Sequence, residues 1–221
     1  GLSRNCGIFD VNQGCAGYIY GLSIAKSFIK SGDVQNVLMI TSDTYSKIID
    51  ENDSSVATVF GDGAAATLIV SEMNDNESIG PFLFGTDSSK KDFLNCDYLG
   101  LGTPQNEQKS LKMDGPGILN FSLGVIPKEL KRFIEKNNLN LNDFDSIVFH
   151  QANKFILKKL FKKIGIEDKG KIFLKNSGNT TSSSIPIVLE EILNKKVKKE
   201  EYILIAGFGV GLSWGFSTIL L

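Results

Sequence analysis

Histidine is nearly absent from this 221-residue chain, which has one, at position 150. Cysteine is scarce too: Cys6, Cys15 and Cys96 are odd in number and widely spaced. That argues against a disulfide framework, and without a Cys-x-x-Cys pair or a Cys/His cluster nothing points to zinc or any other metal. A reduced, cytoplasmic setting fits such cysteine usage. No apolar run is long enough to span a bilayer, and residues 1–6 lack the basic-then-apolar layout of a signal peptide. A charge excess is also missing. The formal net charge is −1, which gives no reason to expect nucleic acid or a membrane as partner. What is there is an ordinary globular composition, 42% hydrophobic and 22% charged, long enough for one large domain or two small ones.

Hydrophobic periodicity alternates between two and 3.6 along the chain. Residues 6–11 read as a buried strand. A helix follows the Gln13-Gly14 turn, with Ala16, Ile19, Tyr20, Ile24, Phe28 and Ile29 at helical spacing and Ser31-Gly32 as its end. Strands are expected at 37–41 and 64–70, then a polar linker at 71–79. A strand at 81–84 leads into a long loop to about residue 117, and loops of that length are usually functional or disordered. Beyond it the pattern predicts a helix over 118–136, a strand at 146–149 and a basic helix at 153–164. A strand at 171–174, a helix at 181–193 and strands at 202–206 and 212–221 complete the chain. This is an α/β architecture with mixed sheets. It contains an echo: residues 7–70 and 171–221 each run strand, tight turn, helix, strand, strand. Cys15 stands at the turn of the first copy and Gly178-Asn179-Thr180 at the turn of the second. Such a repeat would bring both helix starts to a common pseudo-twofold axis.

Four features carry chemical potential. Cys15, between Gly14 and Ala16 at a helix start, meets backbone N–H groups and a helix dipole that favour a thiolate; the alternative is a buried, inert thiol. His150 ends an apolar strand, where α/β proteins often hold working groups, although lone histidines are commonly structural. Asn179 lies in a polar turn that would by default be a helix cap. The Gly207-Phe208-Gly209-Val210-Gly211 segment joins two strands, with glycines that allow close approach and free N–H groups of the kind an oxyanion hole needs. A fifth feature is the run Lys154, Lys158, Lys159, Lys162 and Lys163, which by itself reads as a solvated helix face.

Taken in order and spacing, several segments together resemble the 3-oxoacyl-ACP synthase III family. They are Asp10-Val11-Asn12-Gln13-Gly14-Cys15-Ala16-Gly17-Tyr18, Phe60-Gly61-Asp62-Gly63, Leu111-Lys112-Met113, His150-Gln151-Ala152-Asn153, Gly178-Asn179-Thr180, and Gly209-Val210-Gly211 with Trp214-Gly215. The resemblance implies a thiolase fold of duplicated βαβαβαββ halves layered α-β-α-β-α. Residues 1–78 would be the remainder of an incomplete first half and 79–221 the second. It implies Cys15 as nucleophile, with His150 and Asn179 as donors to a malonyl thioester during decarboxylation. The backbone N–H groups of Cys15 and Val210, flanked by Gly209 and Gly211, would form the oxyanion hole. Lys112, Lys162 and Lys163 match positions that meet an acidic carrier protein. No cofactor is implied: the substrates would be acyl-CoA or acyl-ACP and malonyl-ACP, and the protein a homodimer. Ser54 and Phe155 stand where the family has arginines, the first of which helps hold coenzyme A, so a carrier-protein donor stays open. Family members also carry two strands and two helices ahead of the first strand here. An acyltransferase acting on an amine or hydroxyl, and an inactive fragment with a binding role, are the competing readings.

Overall fold

The computed structural model describes residues 3–71, 78–96, 110–195 and 200–221. Its centre is a four-stranded sheet in the order β3-β8-β7-β6, built from β3 (Ile79–Thr86), β6 (Ser146–Phe149), β7 (Tyr202–Gly209) and β8 (Ser213–Leu220). β6 and β7 are parallel and the other pairs antiparallel. Alternation along β7 sorts side chains into two cores. Leu204, Ala206 and Phe208 face α3 (Gly115–Gly124), α4 (Ile126–Lys136) and α5 (Lys154–Ile164), whereas Ile203 and Ile205 face α1 (Gly17–Ser31) and α6 (Ser184–Asn194). A strand buried on both faces must be apolar throughout, and β6 and β7 are so at nearly every position.

On the far side of α1 and α6 lies an antiparallel pair, β1 (Asn36–Asp43) and β2 (Gly63–Val70). The described residues therefore stack as four layers, α-β-α-β. Thr41 and Ile69 turn inward, while Leu38 and Ile40 on β1 and Leu68 and Val70 on β2 are exposed. A short helix α2 (Ser54–Ala57) and a small pair, β4 (Leu94–Cys96) with β5 (Leu111–Met113), close one end. No helix among the described residues is long and apolar enough to cross a membrane.

The two echoed units are visible as three parts each. A 3-10 turn (Gly14–Ala16, Thr181–Ser183) runs into a helix (α1, α6) and then an antiparallel pair (β1-β2, β7-β8). The turns meet at the centre: a Cβ on Gly17 would lie 3.5 Å from Ser182 Cβ. Side chains on either side of position 78 share one core, since Tyr18, Ile19 and Leu22 pack with Ile203, Ile205 and Ile219. The expected linker falls largely on residues 72–77, outside the described residues, as do residues 97–109 of the long loop.

Three expectations need correction. Residues 6–11 are not a buried strand: among the described residues no strand pairs with them, and Ile8 and Phe9 are 81% and 61% exposed. Residues 171–174 are not a strand either. Lys171 N–H bonds Ile147 O at 2.9 Å, but the Gln151 side chain then takes over, donating to Lys171 O at 3.2 Å and accepting from Phe173 N–H at 2.8 Å. A side chain has replaced the neighbouring strand. The helix expected over 118–136 is two helices, because Pro127 has no N–H to donate and its ring crowds the preceding turn. The first of them starts earlier, with Asp114 capping Gly117 N–H at 3.0 Å.

Phe133 on α4 is fully buried and stacks on Phe216 of β8 with ring centroids 5.9 Å apart. Phe133→Ala should lower unfolding free energy by about 3–5 kcal/mol, the range for a buried aromatic truncated to alanine. Urea unfolding followed by far-ultraviolet circular dichroism measures this.

Candidate active site

Cys15 sits in the 3-10 turn that feeds α1, 2% exposed, with its sulfur against the end of β7. Two glycines make that approach possible. A Cβ on Gly209 would lie 2.6 Å from Cys15 Sγ, and one on Gly14 would clash with Val210 Cγ1. Gly14 also has φ +52°, a left-handed conformation that glycine adopts without steric cost. The turn carrying Cys15 and the loop carrying Val210 are therefore pressed together backbone to backbone.

His150 follows β6, where its N–H bonds Ala206 O at 2.7 Å, and its ring meets Phe208 edge-on at 5.9 Å. Its Nδ1 is 2.8 Å from Ser184 Oγ. Asn179 is held by a parallel bridge to Phe60: its N–H donates to Val59 O, and its carbonyl accepts Gly61 N–H, both at 2.9 Å. Its Oδ1 accepts Thr181 N–H at 2.9 Å, so the amide's other end, Nδ2, is left to donate elsewhere. Cys15, His150 and Asn179 all line one cavity, walled by Phe60, Met113, Phe121, Ile156 and Phe208. With Nδ1 occupied, Nε2 is the ring nitrogen left to face that space.

Electrostatics alter one expectation. Burial pushes the Cys15 thiol up to about 12; hydrogen bonding to the backbone of Val210 and of Cys15 itself opposes this, and the Asp43 carboxylate adds to it. The stabilising donors read from the sequence are in position, but desolvation outweighs them, so the resting sulfur is a thiol. Burial likewise pushes His150 down to about 4, so it is neutral at physiological pH and carries one ring proton. Among the described residues no cluster of His, Cys, Asp and Glu is arranged to hold a metal.

The structure brings together Cys15, His150, Asn179 and the Gly209–Val210 corner, and sets the lysines apart. Lys154, Lys158, Lys159, Lys162 and Lys163 are exposed on α5, whose first turn, through Asn153 and Ile156, borders the cavity. Lys112 is exposed on β5. Ser54 opens α2, capped by Asp53, and Phe155 is 58% exposed with Lys159 Nζ 4.9 Å from its ring centre. Sequence reasoning missed Asp43, whose carboxylate accepts Ser182 N–H at 3.1 Å beside the site. It also gave no individual role to Gln151 or to the hydroxyl run Thr180 to Ser184. A strand-end carboxylate and five consecutive hydroxyl residues in a chain this apolar were the available signals.

A cysteine-bearing turn set against the glycine end of a central strand, in duplicated helix-and-hairpin units, is an arrangement of the thiolase fold. Residues 9–88 match the family model described as 3-Oxoacyl-[acyl-carrier-protein (ACP)] synthase III, and residues 134–220 its C-terminal counterpart. The chain is 37% identical over 221 residues to the beta-ketoacyl-[acyl-carrier-protein] synthase III of Clostridium acetobutylicum, covering 96% of this chain and 67% of that protein. The corresponding synthase of Streptococcus sanguinis is 38% identical, with 96% and 68% covered. Among solved structures, a 3-oxoacyl-(acyl-carrier-protein) synthase III aligns with TM-score 0.89 and 35% identity over 99% of this chain and 70% of its own. The Aquifex aeolicus enzyme aligns with TM-score 0.87 and 31% identity, over 98% and 68%. The chain belongs to the 3-oxoacyl-ACP synthase III family of condensing enzymes.

With burial holding the Cys15 thiol well above its ordinary value, little thiolate is present at pH 7. Iodoacetamide should therefore modify exposed Cys6 well before Cys15, and Cys15 alkylation should keep rising with pH up to about 12 without an earlier plateau. Asp43→Asn removes a charge that raises the thiol's pKa, so its profile should shift to lower pH. Peptide mass spectrometry across a pH series reads both.

Proposed function

We propose that this chain performs a decarboxylative Claisen condensation in which Cys15 carries the acyl group and His150 and Asn179 stabilise the malonyl-derived enolate. The single observation behind the reading is that one cavity is lined by the Cys15 thiol, by a neutral His150 whose Nδ1 is engaged by Ser184, and by Asn179, whose Oδ1 is engaged and whose Nδ2 is left to donate. In the loading step the Cys15 sulfur attacks a thioester carbonyl, the carbon–sulfur bond of the donor breaks, and the thiol proton leaves with the departing thiol. The backbone N–H groups of Cys15 and Val210 hold the oxyanion of the tetrahedral intermediate. Malonyl-ACP then loses carbon dioxide. The electron pair of the broken bond passes into an enolate whose oxygen accepts from Nε2 of His150 and Nδ2 of Asn179. Its carbon attacks the acyl-Cys15 carbonyl, and collapse expels the Cys15 thiolate, which takes up a proton.

Neutral donors suit this step. Charge appears on the enolate oxygen only in the transition state, and pre-aimed donors in a dry cavity stabilise it without reorganisation. A covalent intermediate divides the reaction into two half-reactions with ping-pong kinetics. No cofactor is required, only acyl-CoA or acyl-ACP and malonyl-ACP. Phe155 and Ser54, in place of arginines, favour a donor presented by a carrier protein over coenzyme A. The same reading includes a reduced cytoplasmic setting, supported by the absence of disulfides among the three cysteines, and a homodimer, which light scattering would test. A place in fatty-acid biosynthesis accords with the family.

Acidic carrier protein fits the lysine face of α5, which borders the cavity at one end. Charge reversal of Lys162 and Lys163 together should raise KM for malonyl-ACP about tenfold or more while leaving acylation by a small thioester unchanged. The effect should shrink as salt rises. Steady-state kinetics at two ionic strengths measures this.

The central reading is tested by following carbon dioxide release and acyl-enzyme mass separately. Cys15→Ala should abolish the adduct. His150→Ala and Asn179→Ala should keep it and lower carbon dioxide release by about 10²–10³, the usual effect of losing one transition-state donor. Acyl transfer without carbon dioxide release in the native protein would overturn condensation.

A further inference from the structure

For His150 to donate from Nε2, its one ring proton must sit on Nε2, and Nδ1 must present a lone pair. Nothing in the imidazole itself ensures this: the neutral ring has two tautomers, and a neighbouring hydrogen bond selects between them. The neighbour here is Ser184, the first residue of α6, 2% exposed, with Oγ at 2.8 Å from Nδ1.

A serine hydroxyl has one proton to give and two lone pairs to fill. Gln151 N–H points to Ser184 Oγ at 3.2 Å and occupies one lone pair. The hydroxyl proton then has two acceptors in reach, Nδ1 at 2.8 Å and Thr181 O at 2.9 Å. Thr181 O already receives the backbone N–H of Ser184, so it is not left unsatisfied if the hydroxyl turns away. In the other tautomer Nδ1–H would donate to Ser184 Oγ or to the Thr181 carbonyl, the hydroxyl proton would go to Thr181 O, and an Nε2 lone pair would face the cavity. Such a ring could not donate to an enolate, so the condensation reading requires the serine proton on Nδ1. Resting on the condensation reading above, we infer that Ser184 is the positioning residue that sets the His150 tautomer, donating its hydroxyl proton to Nδ1 so that Nε2–H faces the malonyl thioester.

The backbone is shaped to hold this hydroxyl. Thr181 has φ +53°, a left-handed conformation costly for a β-branched residue. In that conformation its N–H meets Asn179 Oδ1 and its carbonyl meets Ser184 N–H. One strained residue thus orients the amide of Asn179 directly and the imidazole of His150 through Ser184. The two donors to the enolate are set by the same turn.

Because His150 is the only histidine, a sample with ¹⁵N in its imidazole reports a single ring. The native protein should show a protonated Nε2 and an unprotonated Nδ1 at pH 7. Ser184→Ala should move the population toward the Nδ1-protonated form, whose proton can reach the Thr181 carbonyl. It should lower carbon dioxide release at least about tenfold, part of the 10²–10³ that a whole donor is worth, while Cys15 acylation is kept. Ser184→Thr, which retains the hydroxyl, should restore both the native tautomer and the rate. A native ring protonated on Nδ1 would overturn the inference. So would a folded Ser184→Ala protein with the native tautomer and native carbon dioxide release. If Ser184→Ala does not fold, the native spectrum and the threonine variant still decide. The nitrogen spectra need no turnover, so failure of the condensation reading would appear separately, as absent carbon dioxide release in a protein whose tautomer is still measurable.

Discussion

The close approach of two backbones, the Gly14-Cys15-Ala16 turn and the Gly207-to-Val210 end of β7, is the constraint on which the rest of this molecule depends. A Cβ at Gly207 would meet Cys15 O at 2.8 Å, and one at Gly209 would meet Cys15 Sγ at 2.6 Å. Contacts this short leave no tolerance, so the central strand and helix α1 must be held in one register by everything around them. Two buried cores, one on each face of the sheet, supply that rigidity. The geometry in turn puts the backbone of Val210 within hydrogen-bonding reach of the sulfur.

The same packing sets the electrostatic character of the site. Excluding water enough to bring the strand against the turn also buries Cys15 and His150, and burial disfavours their charged forms in opposite directions: the thiol is pushed up and the imidazole down. A neutral resting site is the consequence. Charge must then be generated by the reaction itself, which is where fixed donors stabilise it most. The helix start at Cys15, read from sequence alone as favouring a thiolate, does offer backbone hydrogen bonds to the sulfur, but burial outweighs them in the resting site.

Much of this was legible in the chain because periodicity and glycine placement are local signals. Helix α1 ends at Gly32 as expected, and β6 runs over Ser146–Phe149 as expected. The expectations that failed were those requiring knowledge of a neighbour. Residues 6–11 have strand composition, but a strand exists only where another pairs with it. Residues 171–174 lie beside β6 yet pair with the side chain of Gln151, which no pattern of hydrophobicity reports. Cys15, His150 and Asn179, which line one cavity, stood out through residue type and motif order. Asp43, Thr181 and Ser184 did not, since a serine at a helix start reads as a cap until its tertiary partner is seen.

That difference has a physical origin in how the site distributes its work. The residues that meet substrate must be of particular chemical types, so they leave a signature in sequence. Those that aim them need only an oxygen or an N–H at the right point, and backbone can supply it as well as a side chain. Asn179 is oriented by Thr181 N–H and anchored by Val59 O and Gly61 N–H; His150 is anchored by Ala206 O. All four partners are backbone groups, whose placement depends on register and turn geometry rather than on residue type. Ser184 is the exception, a side chain performing an aiming role at a point where the backbone carbonyl of Thr181 is already engaged. A hydroxyl is suited there because it can both accept Gln151 N–H and donate to Nδ1, which neither a backbone N–H nor a carbonyl can do alone.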